Sequence, residues 1–117
     1  MRVGTDIVEV ERFANKNKTF YQKIFTEKEI LYSKKYKSYA ERFAGIFCTK
    51  EAIMKALSVG IYEINPLNIE VLHLKTGKAF VNLTGNAEKI LAKLSESNIE
   101  ISISHIKSVA TAVVIIY

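Results

Sequence analysis

The longest regular pattern in the sequence lies between Ser38 and Gly60, and it predicts a single long α-helix. Ser38 and Glu41 have the spacing of a capping box, which marks a helix start, and Gly60 is the type of residue that ends a helix. At about 100° per residue, one side of this helix is apolar, and we expect that side to face the core. The apolar positions are Phe43, Ile46, Phe47, Ile53, Met54 and Leu57.

Strand patterns lie on both sides of this helix. Residues 2–8 form a strand that ends in charged residues, and residues 68–74 and 79–83 are typical of a hairpin. Residues 99–105 alternate strictly, as a half-buried strand does, and a short turn leads into the apolar segment 109–116. The sequence therefore predicts the α+β class, with a mainly antiparallel sheet and helices packed on one side of it.

Shorter helical patterns fill most of the remaining chain. Residues 9–24 have a helical pattern that is interrupted at 15–17, and a second capping box predicts a helix over about 26–35. A threonine that can serve as an N-cap predicts another helix over about 84–95. We expect one domain, spanning 1–117, whose marginal stability would be raised by oligomerisation.

The net charge of +5 is unevenly distributed along the chain. Residues 1–58 carry all of it, while residues 59–117 are neutral overall. Within residues 12–37 there are 8 basic residues and only two acidic ones. This asymmetry suggests an acidic partner such as nucleic acid, anionic lipid or an acidic protein, although an ordinary lysine-rich surface has the same composition.

Several classes of protein are disfavoured by composition. With Cys48 as the one cysteine, the chain cannot form an internal disulfide. Its longest apolar run, residues 109–117, is too short for a membrane span. Acidic residues also occupy the place where a signal peptide would be apolar, so we expect a cytosolic protein.

Glu51 and Lys55 lie one turn apart beside the apolar stripe of the long helix. Ala44, Cys48 and Ala52 surround them, and such small side chains would allow a ligand to approach the helix closely. The same spacing is also common in surface ion pairs that have no further role.

Asp6 interrupts an apolar strand shortly after Gly4, a residue that permits close backbone approach. A carboxylate at the end of a strand suits Mg²⁺, which takes one or two carboxylates together with phosphate oxygens and water. A surface or capping aspartate would give the same pattern. We take Asp6, with the glutamate and lysine of the long helix, as a candidate Mg²⁺–phosphate site.

The two histidines are less informative. His105 shares a strand face with isoleucines, where a packed or edge histidine is common, and His73 fits a strand surface position. The cysteine fits simple packing inside the helix.

Three ordered motifs resemble those of holo-[acyl-carrier-protein] synthases. They are VGTDIVEVERF at 3–13, FCTKEAIMKAL at 47–57 and SISH at 102–105 followed by an apolar strand. The resemblance covers the whole chain. It implies the 4'-phosphopantetheinyl transferase fold and transfer of 4'-phosphopantetheine from coenzyme A (CoA) to a serine of apo acyl carrier protein. The products would be holo-carrier and adenosine 3',5'-bisphosphate, in support of fatty acid biosynthesis.

The resemblance also implies roles for particular residues. Asp6 and Glu51 would bind Mg²⁺, and Lys55 would pair with the CoA phosphates. The family assembles as homotrimers, so His105 of a neighbouring subunit would contact a CoA phosphate, and the Gly77–Lys78 turn would lie near the adenine. The residues expected to face the acidic carrier are Arg12, Phe20, Lys23 and Ile24.

The sequence departs from the family pattern at three positions. Ile46 and Ile106 stand where the family usually has the arginine and threonine associated with the CoA 3'-phosphate, and Ala79 replaces a proline. We therefore predict a weaker hold on the 3'-phosphate, unless Arg42 or Lys107 compensates.

An alternative function is a small basic nucleic-acid-binding module without catalysis. Such a module would have aromatic residues interleaved with basic ones on a sheet face. The predicted strands carry Phe80 and Tyr117, and the basic residues lie mostly on helices, so this alternative is the less favoured one.

Overall fold

One long helix lies across a three-stranded antiparallel sheet, and the shorter elements pack around this pair. The computed structural model describes residues 1–60 and 63–117. In chain order the elements are β1 (Arg2–Glu9), a 3₁₀ turn (Val10–Phe13), α1 (Lys18–Ile24), α2 (Glu27–Lys34), α3 (Tyr39–Ala56), a 3₁₀ turn (Pro66–Asn68), β2 (Ile69–His73), β3 (Ala79–Leu83), α4 (Gly85–Ala92), β4 (Ile99–His105) and β5 (Val109–Ile116).

The strands form two sheets, in which every pairing is antiparallel. The larger sheet has the order β1-β5-β4, and the hairpin β2-β3 forms the smaller one. In the larger sheet Asp6 pairs with Ala112, which in turn pairs with Ile103 on the other side. In the hairpin, the turn contains Gly77 at a φ of 92°, a value that favours glycine. The predicted α+β class and antiparallel pairing are confirmed.

The small residues of α3 make the helix-to-sheet contact close. A side chain on Gly4 would place its Cβ 1.8 Å from the Ala52 carbonyl oxygen, so β1 touches the helix backbone. The Cys48 thiol donates to the Ala110 carbonyl at 3.4 Å. The expectation that these small side chains leave room for a ligand is therefore wrong, because strands cover much of that surface.

Both ends of α3 differ from the predicted ends. Ser38 is the N-cap residue, but its side chain makes no capping bond, and the Glu41 carboxylate contacts His105 of β4 rather than completing a capping box. At the other end Ser58 adopts a φ of 59°, and the Val59 amide donates to the Met54 carbonyl at 2.9 Å. This arrangement is a Schellman motif, so the helix ends before Gly60 is reached.

The remaining helical predictions hold with small adjustments. The interruption at 15–17 is real: Asn17 caps α1 by accepting from the Phe20 amide at 2.9 Å. Both bonds of the Thr26–Glu29 capping box are present. α4 is shorter than expected, and its N-cap Thr84 makes no side-chain capping bond.

Away from the sheet, aromatic rings of α1 and of its C-cap residue Phe25 pack against α3. Phe43 stacks on Tyr21 with ring centroids 4.4 Å apart, and the Phe25 ring centroid lies 4.6 Å from that of Phe43. Glu29 and Lys50 are fully buried in this region as an ion pair with a separation of 2.7 Å. Burial raises the pKa of Glu29 and lowers that of Lys50, and each charge partly offsets the effect on the other.

The sheet face opposite α3 is partly apolar and open to solvent. Val3 is 57% exposed, Ile7 is 69% exposed and Val113 is 41% exposed. Alternation along β1 and β5 places these side chains on the face away from the helix. Within the described ranges, no helix is long and apolar enough to span a bilayer.

Candidate functional site

Asp6 and Lys55 meet where β1 passes under the last turns of α3. The Lys55 ammonium donates to the Asp6 carboxylate at 3.2 Å and to the Thr5 carbonyl at 3.0 Å. The Asp6 side chain is 15% exposed, whereas that of Lys55 is 57% exposed. The carboxylate is therefore held in place, while the ammonium remains accessible to a ligand.

Glu51 lies close to this pair, and we call Asp6, Glu51 and Lys55 together the carboxylate cluster. Partial burial raises the pKa of its carboxyl, and the negative charge of Asp6 raises it further. The positive charges of Lys55 and Arg12 act in the opposite direction. Two carboxylates close enough to repel each other form a set of hard oxygen donors that suits a divalent cation.

The donor set fits Mg²⁺ better than a metal enclosed by protein ligands. Within residues 1–60 and 63–117, no group of three or more His, Cys, Asp or Glu side chains could hold a metal ion. Mg²⁺ needs one or two carboxylates and completes its shell with water and substrate phosphates. Asp6 and Glu51 are thus sufficient as the protein's share of such a site.

Cys48 lies beside this cluster but is not a nucleophile. Burial raises the pKa of its thiol to about 12, and the charge of Asp6 contributes to the shift. The thiol stays protonated at neutral pH, which agrees with the packing role expected from the sequence.

A second region lies on the other flank of α3. A cavity of about 330 Å³ is lined by the predicted CoA contacts His105, Gly77 and Lys78, and by Ile46. The His105 Nδ1 atom lies 2.9 Å from the Glu41 carboxylate. The structure therefore brings these predicted residues together, but at a place separate from the carboxylate cluster.

The separation follows from the sheet order. Asp6 is on β1 and His105 is on β4, and β5 lies between these strands. Asp6, Glu51 and Lys55 are absent from the lining of the cavity. Within one described chain, the predicted phosphate-binding residues thus form two regions rather than one.

Two buried nitrogen atoms lie at the cavity: sequence reasoning named Arg42 as a possible phosphate contact but did not assign His73 to this region. Within the described part of the chain, Arg42 Nε and His73 Nδ1 are buried without a hydrogen-bond partner. The Arg42 guanidinium stacks 4.2 Å above the Tyr36 ring, and Tyr32 stacks on His73 with centroids 3.9 Å apart. The interpretation of His73 as a surface residue is wrong, because Tyr32 covers its ring.

The predicted carrier contacts form part of a basic and aromatic surface. The Arg12 guanidinium lies 5.2 Å from the Phe47 ring centroid, and the Lys16 ammonium lies 5.9 Å from that of Phe20. Lys23 is exposed and Ile24 is partly buried nearby on α1. We call these six residues the docking surface.

The docking surface adjoins the carboxylate cluster. Phe47 precedes Glu51 by one turn of α3, and Arg12 is close enough to Glu51 to lower the pKa of its carboxyl. Sequence reasoning assigned Phe47 to the core and overlooked Lys16. The one-turn spacing between Phe47 and Glu51 is the signal that could have placed Phe47 at the site.

Comparison with known proteins gives the family. A family model described as the 4'-phosphopantetheinyl transferase superfamily matches residues 2–114. The chain belongs to this superfamily. It is 41% identical to a holo-[acyl-carrier-protein] synthase from Fusobacterium nucleatum, over 97% of this chain and 96% of the relative. A Clostridium botulinum synthase is 44% identical, over 97% of this chain and 94% of that one.

Solved structures of the superfamily have the same fold as this chain. The synthase from Bacillus anthracis in complex with CoA (3',5'-ADP) has a TM-score of 0.81 and 32% identity, covering 98% of this chain and 94% of that one. The synthase from Neisseria meningitidis has a TM-score of 0.87 and 26% identity, covering 99% and 97%. The resemblance found in the sequence is confirmed, and a nucleic-acid-binding module without catalysis is set aside.

Proposed function

We propose that the chain is a holo-[acyl-carrier-protein] synthase. It transfers the 4'-phosphopantetheine group of CoA to a serine of apo acyl carrier protein, giving holo-carrier and adenosine 3',5'-bisphosphate for fatty acid biosynthesis. The observation that carries the proposal is the Asp6–Glu51–Lys55 cluster, which lies directly beside a cationic docking surface. The relatives that bear this name match almost the whole chain.

Asp6 and Glu51 are the residues that would hold Mg²⁺. When bound, the ion supplies positive charge to the CoA diphosphate, as metal ions do in other phosphoryl transfers. Asp6 is oriented by the Lys55 ammonium, so one oxygen of its carboxylate is already engaged. Its second oxygen and the Glu51 carboxylate are the donors that we assign to the cation.

Lys55 has a separate task. Its ammonium is exposed and within reach of Asp6, so it can move from the carboxylate to a phosphate oxygen of the substrate. As the oxygen of the carrier serine hydroxyl bonds to the β-phosphorus, the hydroxyl proton passes to water or to a nearby carboxylate. The bond from that phosphorus to the leaving bisphosphate breaks at the same time. Negative charge develops on that leaving group, and a positioned ammonium stabilises it.

The cavity beside His105 is assigned to the nucleotide end of CoA. Its lining combines His105, Lys78 and Arg42 with the Gly77 turn, and the cationic groups suit a phosphate-bearing ligand. Two structural relatives, from Bacillus anthracis and Helicobacter pylori, are described as complexes with CoA.

The two separate regions support a homotrimer with sites shared between subunits. A neighbouring copy could bring its His105 region to the Asp6 cluster, which one chain does not do. The exposed apolar sheet face offers Val3, Ile7 and Val113 for such a contact.

The partner that fits the docking surface is the acidic carrier protein. Cations surround apolar rings there, an arrangement suited to an acidic amphipathic helix. We place this encounter in the cytosol, because a chain whose one cysteine is a buried thiol requires no oxidising compartment.

Mass spectrometry of the carrier tests the function. Purified protein, CoA and Mg²⁺ are incubated with several apo carriers, and each carrier should gain the mass of one phosphopantetheine group. A Ser→Ala carrier serves as the control. No gain with any apo carrier, under conditions where a known synthase succeeds, would overturn the proposal.

A further inference from the structure

We propose that the buried Glu29–Lys50 pair is a positioning device. It fixes helix α1, which carries much of the docking surface, against helix α3, which carries Glu51 and Lys55. This inference rests on the proposed function, because the task of the pair is to set the carrier's serine at the right place beside the carboxylate cluster.

Lys50 binds the C-terminal end of helix α1 directly. Its ammonium donates to the Ile24 carbonyl at 2.8 Å, to Glu29 Oε1 at 2.7 Å and to the Pro66 carbonyl at 2.9 Å. An ammonium has three N–H groups, so all of them are used. Ile24 is the last residue of α1, and a helix leaves its final carbonyls without intrahelical partners.

Glu29 completes the junction from the other side. Its Oε1 atom also accepts from the Thr26 amide at 2.8 Å, and its Oε2 atom accepts from the Val71 amide at 2.7 Å. Through these two side chains the end of α1, the start of α2, the middle of α3 and strand β2 are tied together by hydrogen bonds.

Stability alone does not account for a buried pair of charges. Desolvating both ions offsets much of their attraction, and well-packed apolar residues often replace such pairs without loss of stability. Tyr21 of α1 and its C-cap residue Phe25 both pack on Phe43 of α3, but these contacts tolerate sliding, because apolar packing has little directionality. Hydrogen bonds to fixed backbone atoms supply the direction that ring packing lacks.

The location of the pair connects it to both partners of the reaction. Lys50 is followed in sequence by Glu51, so the two side chains leave α3 on different sides, one towards α1 and one towards the carboxylate cluster. A shift of α1 along α3 would therefore move Phe20 and Lys23 relative to Glu51. Because Phe47 of α3 also belongs to the docking surface, the same shift would distort that surface and weaken carrier binding. It would also move the docked serine relative to the reacting phosphate.

The test is Glu29→Gln, which keeps the side-chain length but removes the charge and one acceptor oxygen. We expect KM for apo carrier, and the Kd of a fluorescent apo carrier measured by anisotropy, to rise by about tenfold, which corresponds to the loss of about 1.4 kcal/mol of contact with the distorted docking surface. KM for CoA should stay within about twofold, because the pair bonds the hairpin only at Val71 and contacts none of the residues assigned to CoA.

A stability-matched control separates positioning from weakened folding. Val114→Ala opens a cavity at a fully buried position on the sheet side of α3, away from α1. Both variants are assayed well below their melting temperatures. The control should lower Tm and leave both KM values unchanged.

The outcomes are distinguishable. If Glu29→Gln lowers Tm but leaves carrier KM and Kd unchanged, the pair is structural and the inference is overturned. An equal rise of both KM values would also overturn it. If Glu29→Gln does not fold, Thr26→Ala is tested instead, which removes the hydroxyl that accepts a hydrogen bond from the Glu29 amide. It must raise KM for apo carrier while leaving KM for CoA within about twofold. Failure of the wild-type protein to modify any carrier would instead overturn the proposed function.

Discussion

The hold on the CoA 3'-phosphate can be tested by introducing at position 46 the arginine that we expected there from the family resemblance. Ile46 is almost fully buried in α3 and lines the cavity that we assign to the nucleotide. An arginine there could extend its guanidinium into a cavity of about 330 Å³. Because the 3'-phosphate is a dianion, the new contact would be a charge-assisted hydrogen bond.

The magnitude follows from that bond. A hydrogen bond to a charged group contributes about 1.5–3 kcal/mol, which corresponds to about tenfold to a hundredfold in binding. We expect Ile46→Arg to lower KM for CoA within that range and to leave KM for 3'-dephospho-CoA unchanged. Ile46→Met, which adds length without charge, is the matched control and should change neither value.

This reasoning would be refuted if Arg42 already binds the CoA 3'-phosphate. Arg42 lines the same cavity, and its Nε atom has no hydrogen-bond partner within the described structure, whereas Lys107 is exposed and outside the lining. A strong wild-type preference for CoA over 3'-dephospho-CoA, lost in Arg42→Ala, would show that Arg42 already holds the 3'-phosphate. The predicted weak anchor would then be wrong.

Three further predictions test the proposed site. Asp6→Asn and Glu51→Gln should each abolish most turnover with the fold intact, because each removes an anionic ligand; near wild-type turnover at limiting Mg²⁺ would exclude that residue as a ligand. Mixing His105→Ala with Glu51→Gln subunits should restore activity, and light scattering should give a trimer; a fully active monomer would contradict shared sites. Reversing Arg12 or Lys23 to glutamate should raise KM for carrier more than KM for CoA, with an effect that shrinks at high salt; equal effects on both substrates would place these residues elsewhere.

The features that could be predicted from the sequence are those set by local spacing. Glu51 and Lys55 lie on one side of α3 because residues one turn apart share a helix face. Gly4 permits close contact, and the structure places it directly against the Ala52 backbone. The Thr26–Glu29 capping box forms because both partners lie within four residues.

The features that could not be predicted depend on partners distant in sequence. Glu41 has the right spacing to cap α3, but His105, 64 residues away, engages its carboxylate. Glu29 completes a capping box and also binds Lys50 on another helix. Spacing identifies the face on which a side chain lies, but it does not identify what packs against that face.

The register of the sheet explains why one chain carries the proposed site in two regions. Asp6 and His105 point to the same sheet face, but they lie on the two outer strands, about 10 Å apart across the sheet for a strand spacing of about 4.8 Å. Helix α3 occupies the space between them, since Ala52 lies against β1 and Gly45 lies against Ile103 of β4. On this face of the sheet, α3 therefore lies between the two residues. The small residues that bring α3 onto the sheet thus keep the two regions apart within one chain, and the proposed sharing of sites between subunits would bring them together.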